Sequence, residues 1–331
     1  MKTIRWGIIG CGNVTEVKSG PGFENAKDSR LVAVMRRTGE LAKDYAECHG
    51  VLRWYDDAEA LVHDPEVDAV YVATPPSSHK EYTILAAEAG KPVYVEKPMA
   101  LNSGECQEMI EACRSAEVPL FVAYYRRALR RFLKIKELLE TQAIGDVRFV
   151  SMTLYAKPGP EELDPESLPW RVIPEIAGGG RFVDLGSHMF DFLDYVLGPI
   201  REVQGFAANQ QSYYLAEDMV SAAFVFESDV HGVGVWNFGS FDEVDVTEIV
   251  GSQGKISFST YGAEPVVLTT GDGVTKFEIE YPEHIQQPLI QAVVDDLNGT
   301  GTCPSTGESA ARTTWVMDQI LGDHGTQKGS G

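Results

Sequence analysis

Apolar residues in the first third of the chain come in short runs separated by amphipathic stretches. The strand-like runs cover residues 4–9, 31–35, 52–55, 69–73, 92–95 and 120–123, and helical stretches cover 40–48, 58–62, 79–89 and 103–116. Short strands that alternate with helices are typical of a doubly wound parallel sheet with helices on both faces. The pattern therefore predicts an α/β domain over residues 1–124.

The pattern changes after residue 124. A basic helical run over 126–140 is followed by alternating strands at 147–155, 203–209, 219–226, 231–238, 244–250, 255–259, 266–269 and 275–280. Turn residues at 227–229 and 271–273 predict hairpins, and hairpins imply antiparallel pairing. We therefore expect an α+β domain over 125–322 with a large open antiparallel or mixed sheet.

Helical stretches surround this second set of strands. A helix over 187–197 should cover one face of the sheet, which leaves the other face available to a partner subunit. Helices over 285–297 and 309–321 close the domain. The glycine-rich tail over 323–331 is expected to be flexible.

Composition places the chain among globular proteins. With 331 residues and 44 % hydrophobic content, it can bury the cores of two domains. No apolar run approaches the roughly 20 residues that cross a bilayer, and no signal peptide opens the chain, so we expect a cytoplasmic protein. The five cysteines lack C-x-x-C spacing, which favours reduced thiols over a disulfide framework or a zinc site.

The chain is strongly acidic. It carries 28 Lys and Arg residues against 49 Asp and Glu residues, a net charge of -21. This charge repels nucleic acids and anionic membranes, so we expect neither as a partner. A small anionic ligand would need a local basic site.

The first predicted strand runs into Gly10-Cys11-Gly12-Asn13-Val14-Thr15, a G-x-G-x-x-T variant of the dinucleotide fingerprint. Gly10 permits the tight turn, and Gly12 lets a pyrophosphate approach the backbone at a helix N-terminus. Thr15 replaces the usual third small residue, which predicts looser packing of helix on strand. We assign this turn to cofactor binding: Gly10, Cys11, Gly12, Asn13 and Val14.

The second predicted strand ends in Arg36-Arg37, where enzymes that use NAD carry a carboxylate for the adenosine ribose. Two guanidinium groups there would bind a 2′-phosphate by charge and by paired N–H donors. The pattern therefore predicts NADP(H) as the preferred cofactor, with NAD(H) as the alternative. The competing interpretation is a pair of solvated arginines on a loop.

The fourth predicted strand is followed by Thr74-Pro75-Pro76-Ser77-Ser78-His79. The prolines favour an extended loop, which would wall the nicotinamide side of the cofactor. We assign Thr74, Pro75, Pro76 and His79 to the cofactor site. For His79, the alternative is that it only caps the next helix and packs.

A lysine follows the fifth predicted strand. After the helix stop at Gly90 and Pro92, the apolar run 93–95 ends on Glu96-Lys97-Pro98. The carboxyl edge of a parallel sheet is where ligands bind, so Glu96 and Lys97 are assigned to the cofactor site. Otherwise Lys97 simply ends the strand in water.

The densest group of chemically capable residues lies between Gly178 and Asp191. If Asp184 begins a helix, then Asp184, His188 and Asp191 share one face, because spacings of four and three bring side chains together. A carboxylate and an imidazole would then project from one helix start. The alternatives are a capping aspartate with a core histidine, or a metal site made of these three residues.

Together these features resemble the glucose-fructose oxidoreductase, inositol dehydrogenase and MocA family. The matching segments are G-I-I-G-C-G-N, T-P-P-S-S-H, V-E-K-P, the W-R pair Trp170-Arg171, and A-G-G-G…D-L-G-S-H…D. The resemblance implies a Rossmann domain followed by an α+β domain with a large open sheet, assembled as a homodimer or homotetramer through that sheet. It also implies nicotinamide-dependent oxidation of sugars, polyols or related cyclic alcohols.

The resemblance also implies roles for single residues. Catalytic positions of the family fall on Lys97, Asp184 and His188. Trp170 and Arg171 match a pair beside the nicotinamide half of the cofactor, and Tyr125 stands where many relatives have an amide. The implied substrate site consists of Lys97, Tyr125, Trp170, Asp184 and His188.

The expected reaction is hydride transfer between a nicotinamide and an alcohol carbon. Loss of hydride from the carbon requires loss of the hydroxyl proton, for which His188 is the candidate base. Lys97 would donate to the same oxygen, and Asp184 would orient His188 or a neighbouring hydroxyl. No metal is expected. The alternatives are a non-catalytic NAD(P)-sensing regulatory protein and a metal-dependent lyase or isomerase.

Overall fold

The computed structural model describes residues 1–322, and the tail predicted at 323–331 lies outside the described residues. The chain divides into two compact units. Within the described residues, the first comprises Met1–Leu129 and Pro282–Ala311, and the second comprises Arg130–Tyr281 and 312–322. No helix within residues 1–322 is long and apolar enough to cross a bilayer.

The first unit contains a six-stranded parallel sheet. Its elements are β1 Ile4–Ile9, α1 Gly20–Asn25, β2 Ser29–Met35, α2 Gly39–His49, β3 Arg53–Tyr55, α3 Ala58–Val62, β4 Ala69–Val72, α4 His79–Glu88, β5 Val93–Val95, α5 Ser103–Ser115 and β6 Leu120–Val122. The strand order is β3-β2-β1-β4-β5-β6, and all pairs are parallel. The order reverses between β1 and β4, the switch point at which open α/β sheets bind ligands. The predicted doubly wound sheet is confirmed.

An aromatic cluster fills the interior of the first unit beside the sheet. Trp6 of β1, Tyr71 of β4 and Tyr94 of β5 are fully buried and pack around Phe23 of α1. Their ring centroids lie between 4.9 and 6.4 Å apart. Aromatic pairs in this range add about 0.5–1.5 kcal/mol each beyond burial of their area. The cluster therefore stabilises the strands on both sides of the switch point.

Helix α1 is missing from the sequence-based prediction. It opens with Gly20-Pro21-Gly22, a composition that favours turns. The proline stands in the first turn of the helix, where its missing N–H is not needed. A Cβ on Gly22 would lie 2.8 Å from Ile290 Cδ1, so close packing rather than a turn requires this glycine.

The second unit contains an eight-stranded sheet. Its elements are α6 Arg130–Glu140, β7 Val147–Tyr155, α7 Pro174–Ala177, α8 Ser187–Leu197, β8 Ile200–Ala208, β9 Met219–Phe226, β10 His231–Asn237, β11 Val244–Gly251, β12 Gly254–Phe258, β13 Val266–Thr270 and β14 Gly273–Phe277. The order is β14-β13-β12-β11-β7-β10-β9-β8. Two helices close the chain: α9 Gln287–Leu297, which belongs to the first unit, and α10 Gly307–Leu321, within which the unit boundary falls.

This sheet is mixed. The predicted hairpins join β9 to β10 and β13 to β14, and both are antiparallel as expected. β7 and β10, however, are parallel. The chain leaves β7 through α7 and α8 before it forms β8 to β10, and parallel neighbours require such a helical crossover. The hairpin signals do not reveal this pair because its strands are far apart in the chain.

Helix α8 covers one face of the mixed sheet, as predicted. The ring centroid of Phe190 lies 5.3 Å from that of Phe224 and 5.4 Å from that of Trp236. The indole N–H of Trp236 also donates to the sulfur of Met189 at 3.3 Å. The strand register places a set of exposed apolar side chains on the opposite face: Phe149, Phe206, Val233, Val246 and Val274.

Candidate active site

The glycine turn after β1 lies at the switch point of the parallel sheet. Gly10 has φ +92°, and a Cβ there would lie 2.6 Å from Thr74 Cγ2. The N–H groups of Gly10 and Cys11 donate to the carbonyl of Met35, at 2.9 and 3.2 Å. A Cβ on Gly12 would meet only the Gly10 carbonyl, at 4.0 Å. The turn is therefore held by the ends of β2 and β4, while the backbone of Gly12 faces open space that fits an approaching diphosphate.

Thr15 stands where the usual dinucleotide fingerprint has its third small residue. Its buried hydroxyl accepts from Gly12 N at 2.9 Å and donates to Gly12 O at 2.8 Å. The chain then forms a π-helical turn, Thr15–Ser19, before α1 begins. A diphosphate that approaches Gly12 must therefore share or displace the threonine hydroxyl. Asn13 is exposed and Val14 half-buried, and the cofactor role of both stays a prediction.

The two arginines after β2 have different surroundings. Burial raises the pKa of Cys11 to about 11, and the positive charge of Arg36 opposes this rise. Arg36 directly follows Met35, whose carbonyl accepts from the N–H groups of Gly10 and Cys11, so its backbone lies beside the glycine turn. Arg37 instead lines a groove of about 510 Å³. The lining of this groove includes five carboxylates: Asp56, Asp57, Glu59, Glu81 and Glu88. Arg36 is thus the better placed of the two for a 2′-phosphate.

His79 connects two loops of the candidate cofactor site. The segment Pro76–Ser78 forms a single 3-10 turn, and His79 opens α4. The imidazole is fully buried, with Nε2 2.7 Å from Thr74 O and Nδ1 3.0 Å from Pro98 O. Burial lowers the pKa of His79, and the facing carbonyl groups oppose that effect. The histidine packs and holds the loop after β4 against the segment after Lys97. Contact of Pro75 and Pro76 with a cofactor stays a prediction.

Glu96 and Lys97 follow β5, and the glutamate is buried. The Glu96 carboxylate accepts from Tyr71 Oη at 2.5 Å, from Gln286 Nε2 at 2.7 Å and from the backbone N–H of Lys97 at 3.1 Å. Burial, and then the charge of Glu96, raise the pKa of Tyr71 well above its usual value. The backbone of Lys97 is therefore fixed by Glu96 on one side and by the His79 contact with Pro98 on the other. Sequence reasoning missed Tyr71 and Gln286.

Tyr125 follows β6, in the 3-10 turn Tyr125–Ala128. The residue is 6 % exposed, and the guanidinium carbon of Arg126 lies 5.1 Å from its ring centroid. The structure thus places the tyrosine beyond the carboxyl end of β6, the strand next to β5. Its contact with a substrate stays a prediction.

Asp184 and His188 lie at the start of α8. Asp184 belongs to a π-helical turn, Phe182–Gly186, and His188 is a buried residue of the first turn of α8. Single π-helical turns often occur at functional sites. The predicted regular helix from Asp184 is therefore wrong in its first turn, because a π-helical turn precedes the α-helical period.

Several predicted residues meet at this helix start. Arg171 Nε lies 3.8 Å from Asp184 Oδ2, with both side chains partly exposed, and the Arg171 guanidinium lies 4.4 Å from the ring centroid of Trp170. The ring of His188 lies edge-to-face with that of Tyr261, at 6.3 Å. The second unit thus brings Trp170, Arg171 and Asp184 together and places His188 four residues further along the same helix start. It adds Tyr261, which sequence reasoning missed. Within residues 1–322, no group of three or more His, Cys, Asp or Glu side chains is arranged to hold a metal ion.

The chain matches known proteins over nearly its whole length. Residues 4–124 match a family model described as an oxidoreductase family with an NAD-binding Rossmann fold, and residues 132–257 match the GFO/IDH/MocA C-terminal domain. An oxidoreductase named P35 from Formosa agariphila is 40 % identical over 319 residues, which is 96 % of this chain and 98 % of the relative. Myo-inositol 2-dehydrogenase from Thermotoga maritima is 31 % identical over 282 residues, 82 % of this chain and 79 % of the relative. Among solved structures, aldose-aldose oxidoreductase from Caulobacter crescentus in complex with glycerol is 25 % identical, has a TM-score of 0.85 and is covered to 96 % in both chains.

Proposed function

Because the chain belongs to the glucose-fructose oxidoreductase, inositol dehydrogenase and MocA family of oxidoreductases, we propose that it interconverts a sugar, polyol or related cyclic alcohol and the corresponding carbonyl compound. The names of two relatives, an inositol dehydrogenase and an aldose-aldose oxidoreductase, support this substrate class. The observation that carries the proposal is the group Trp170, Arg171, Asp184 and His188 at one helix start. A protein that only senses a nucleotide needs no such acid and base pair.

A bound nicotinamide would exchange hydride with the substrate carbon. In the oxidative direction, His188 takes the proton of the reacting hydroxyl, and in the reductive direction it returns that proton. Lys97 donates an N–H to the same oxygen and stabilises negative charge as it develops. Asp184, which faces Arg171 at 3.8 Å, orients His188 or a neighbouring substrate hydroxyl. Tyr125 and Trp170 would line the substrate.

The cofactor would lie along the glycine turn, with NADP(H) preferred over NAD(H). The open space over Gly12 supports a diphosphate at that position. The position of Arg36 beside Cys11 supports a 2′-phosphate, because a guanidinium offers charge and paired donors to phosphate oxygens.

The open face of the mixed sheet supports assembly into a homodimer or homotetramer. The exposed fractions of Phe206, Val233 and Val274 are 83 %, 53 % and 64 %, and the three side chains share one face. An apolar face of this kind is typical of a protein interface. A variant with Phe206→Glu and Val233→Glu should have a lower molar mass in light scattering than the wild-type protein. Phe241→Glu serves as the control, because Phe241 is 88 % exposed outside the strands. A monomeric wild-type protein would contradict this assembly.

The experiment that tests the reaction is a substrate panel. Polyols with NADP, and aldoses and ketones with NADPH, are followed at the absorbance of the reduced nicotinamide. We expect turnover with at least one cyclic alcohol or sugar, and a loss of several orders of magnitude in Lys97→Ala and His188→Ala while cofactor binding persists. Cofactor binding without turnover on any panel member would instead favour the sensor. Unchanged turnover in both variants would refute the roles proposed for Lys97 and His188. Activity that a chelator abolishes would favour a metal-dependent lyase or isomerase.

A further inference from the structure

We propose that Tyr261 is a positioning residue for the helix start that carries Asp184 and His188, and that Asp245 anchors it. This inference rests on the proposed function, which gives Asp184 and His188 their catalytic roles. Tyr261 follows β12, and Asp245 lies on β11, the neighbouring strand. Neither residue belongs to the short motifs, such as V-E-K-P and D-L-G-S-H, on which the resemblance to the family was based.

Asp245 fixes the backbone on which Tyr261 stands. Its carboxylate accepts from Thr260 N at 3.0 Å, from Tyr261 N at 2.6 Å and from Gly262 N at 3.3 Å. It also accepts from the hydroxyl of Ser259. Hydrogen bonds to a charged acceptor are roughly twice as strong as neutral ones. One half-buried carboxylate therefore holds the whole turn after β12.

Tyr261 passes this constraint to the catalytic helix. Its hydroxyl donates to the carbonyl of Leu185, the residue after Asp184. That carbonyl belongs to the π-helical turn, whose hydrogen-bond pattern differs from the regular α-helical ladder. The same side chain meets the ring of His188 edge-to-face, with centroids 6.3 Å apart. Tyr261 thus contacts both the turn that carries Asp184 and the imidazole of His188.

The π-helical turn leaves no room for a side chain at Gly186. A Cβ on Gly186 would lie 2.9 Å from the ring of Phe182. A π-helical turn contains one residue more than an α-helical turn, so its relaxation would rotate Asp184 by about 100° around the helix relative to His188. The hydroxyl of Tyr261 opposes that rotation. The geometry of the acid and base pair therefore depends on Tyr261, which acts through its contacts with Leu185 and His188.

The test is Tyr261→Phe, which keeps the ring and removes only the hydroxyl. We expect kcat to fall about 10- to 100-fold, the range expected for misplaced catalytic groups. The KM for the cofactor should stay unchanged, the primary deuterium isotope effect should rise, and the pH limb assigned to His188 should shift. Asp245→Asn should act in the same direction, and the double variant should be less impaired than the product of the two single losses. Tyr213→Phe, on an exposed tyrosine of the same unit, serves as the control.

A merely structural role would give a different result. If the variant only contained less folded protein, kcat per total enzyme would fall, but the isotope effect and the pH profile would not change. Single-turnover rates are therefore divided by the concentration of cofactor sites measured by titration, which removes the contribution of unfolded protein. Wild-type single-turnover rate and pH profile in Tyr261→Phe would overturn the inference. If His188→Ala abolishes turnover while Tyr261→Phe does not alter it, only this inference fails. If His188→Ala leaves turnover intact, the proposed function itself fails.

Discussion

Cofactor preference offers a sharp test of the site because it depends on one exposed side chain. The backbone of Arg36 lies beside the glycine turn, whereas Arg37 lines a groove with Asp57 and Glu81. We predict that Arg36→Ala weakens selection for NADP(H) far more than Arg37→Ala does. The neighbouring arginine is thus a matched control, equal in charge and adjacent in the chain.

The size of the effect follows from the contact that is removed. A hydrogen bond to a charged group contributes about 1.5–3 kcal/mol, and an exposed pair lies toward the lower end. Since about 1.4 kcal/mol is a factor of ten, Arg36→Ala should lower kcat/KM with NADPH about 10- to 100-fold. Values with NADH should change by less than about threefold, because NADH has no 2′-phosphate. Arg36→Asp should reverse the preference, since a carboxylate accepts from ribose hydroxyls and repels phosphate.

The assay is the ratio of kcat/KM for NADPH to kcat/KM for NADH, measured on one carbonyl substrate at fixed ionic strength. The account predicts a ratio above one in the wild-type protein, a ratio near one in Arg36→Ala and a ratio below one in Arg36→Asp. A wild-type ratio below one, or equal changes in Arg36→Ala and Arg37→Ala, would refute the reasoning from the glycine turn.

Three further predictions concern stability and thiol chemistry. Tyr71→Phe removes a donor to the buried Glu96 carboxylate, so the free energy of unfolding should fall by about 1–3 kcal/mol in denaturant titration. An unchanged free energy of unfolding would contradict a stabilising role for the hydrogen bond between Tyr71 and Glu96. Burial alone would raise the pKa of Asp68, but the bonds that Arg5 donates, at 2.8 and 3.0 Å, lower it well below its usual value. The Arg5–Asp68 pair therefore stabilises the fold fully above the pKa of about 3.9 that Asp68 has in the unfolded chain, and this stabilisation is lost as pH falls. The Asp68→Asn variant should be less stable than wild type at pH 7 and equally stable in strong acid. A stability difference that does not change with pH would contradict this role of the pair. Cys48 is exposed, whereas burial raises the pKa of Cys113 and Cys303 to about 12. Ellman's reagent should therefore label Cys48 first. Fast labelling of the Cys48→Ser variant would contradict this order.

Local sequence signals were sufficient for the parallel sheet. The short apolar runs and the glycine turn at Gly10 follow from periodicity and backbone conformation, so β1 to β6 lie within a few residues of their predicted places. Local composition gave the wrong prediction at α1, where tertiary packing determines the structure. Helix α1 carries Gly22 because Ile290 approaches it, and that contact joins residues far apart in the chain.

The candidate site was predictable only in part, for the same reason. Lys97, Asp184 and His188 stand in recognisable segments, whereas the residues that hold them do not. Gln286 bonds Glu96 across 190 positions, and Tyr261 bonds Leu185 across 76. No periodicity or spacing links such partners. The π-helical turn was missed because helix signals assume 3.6 residues per turn.

The central claim is that Lys97 and His188 act on the same substrate oxygen, and a double-mutant cycle in kcat/KM tests it most directly. When two groups act together on one oxygen, removing the second group after the first causes little further loss of kcat/KM. We therefore predict that Lys97→Ala with His188→Ala is only slightly worse than the more damaging single variant. Losses that multiply in the double variant, or a single variant with wild-type kcat/KM, would contradict the claim.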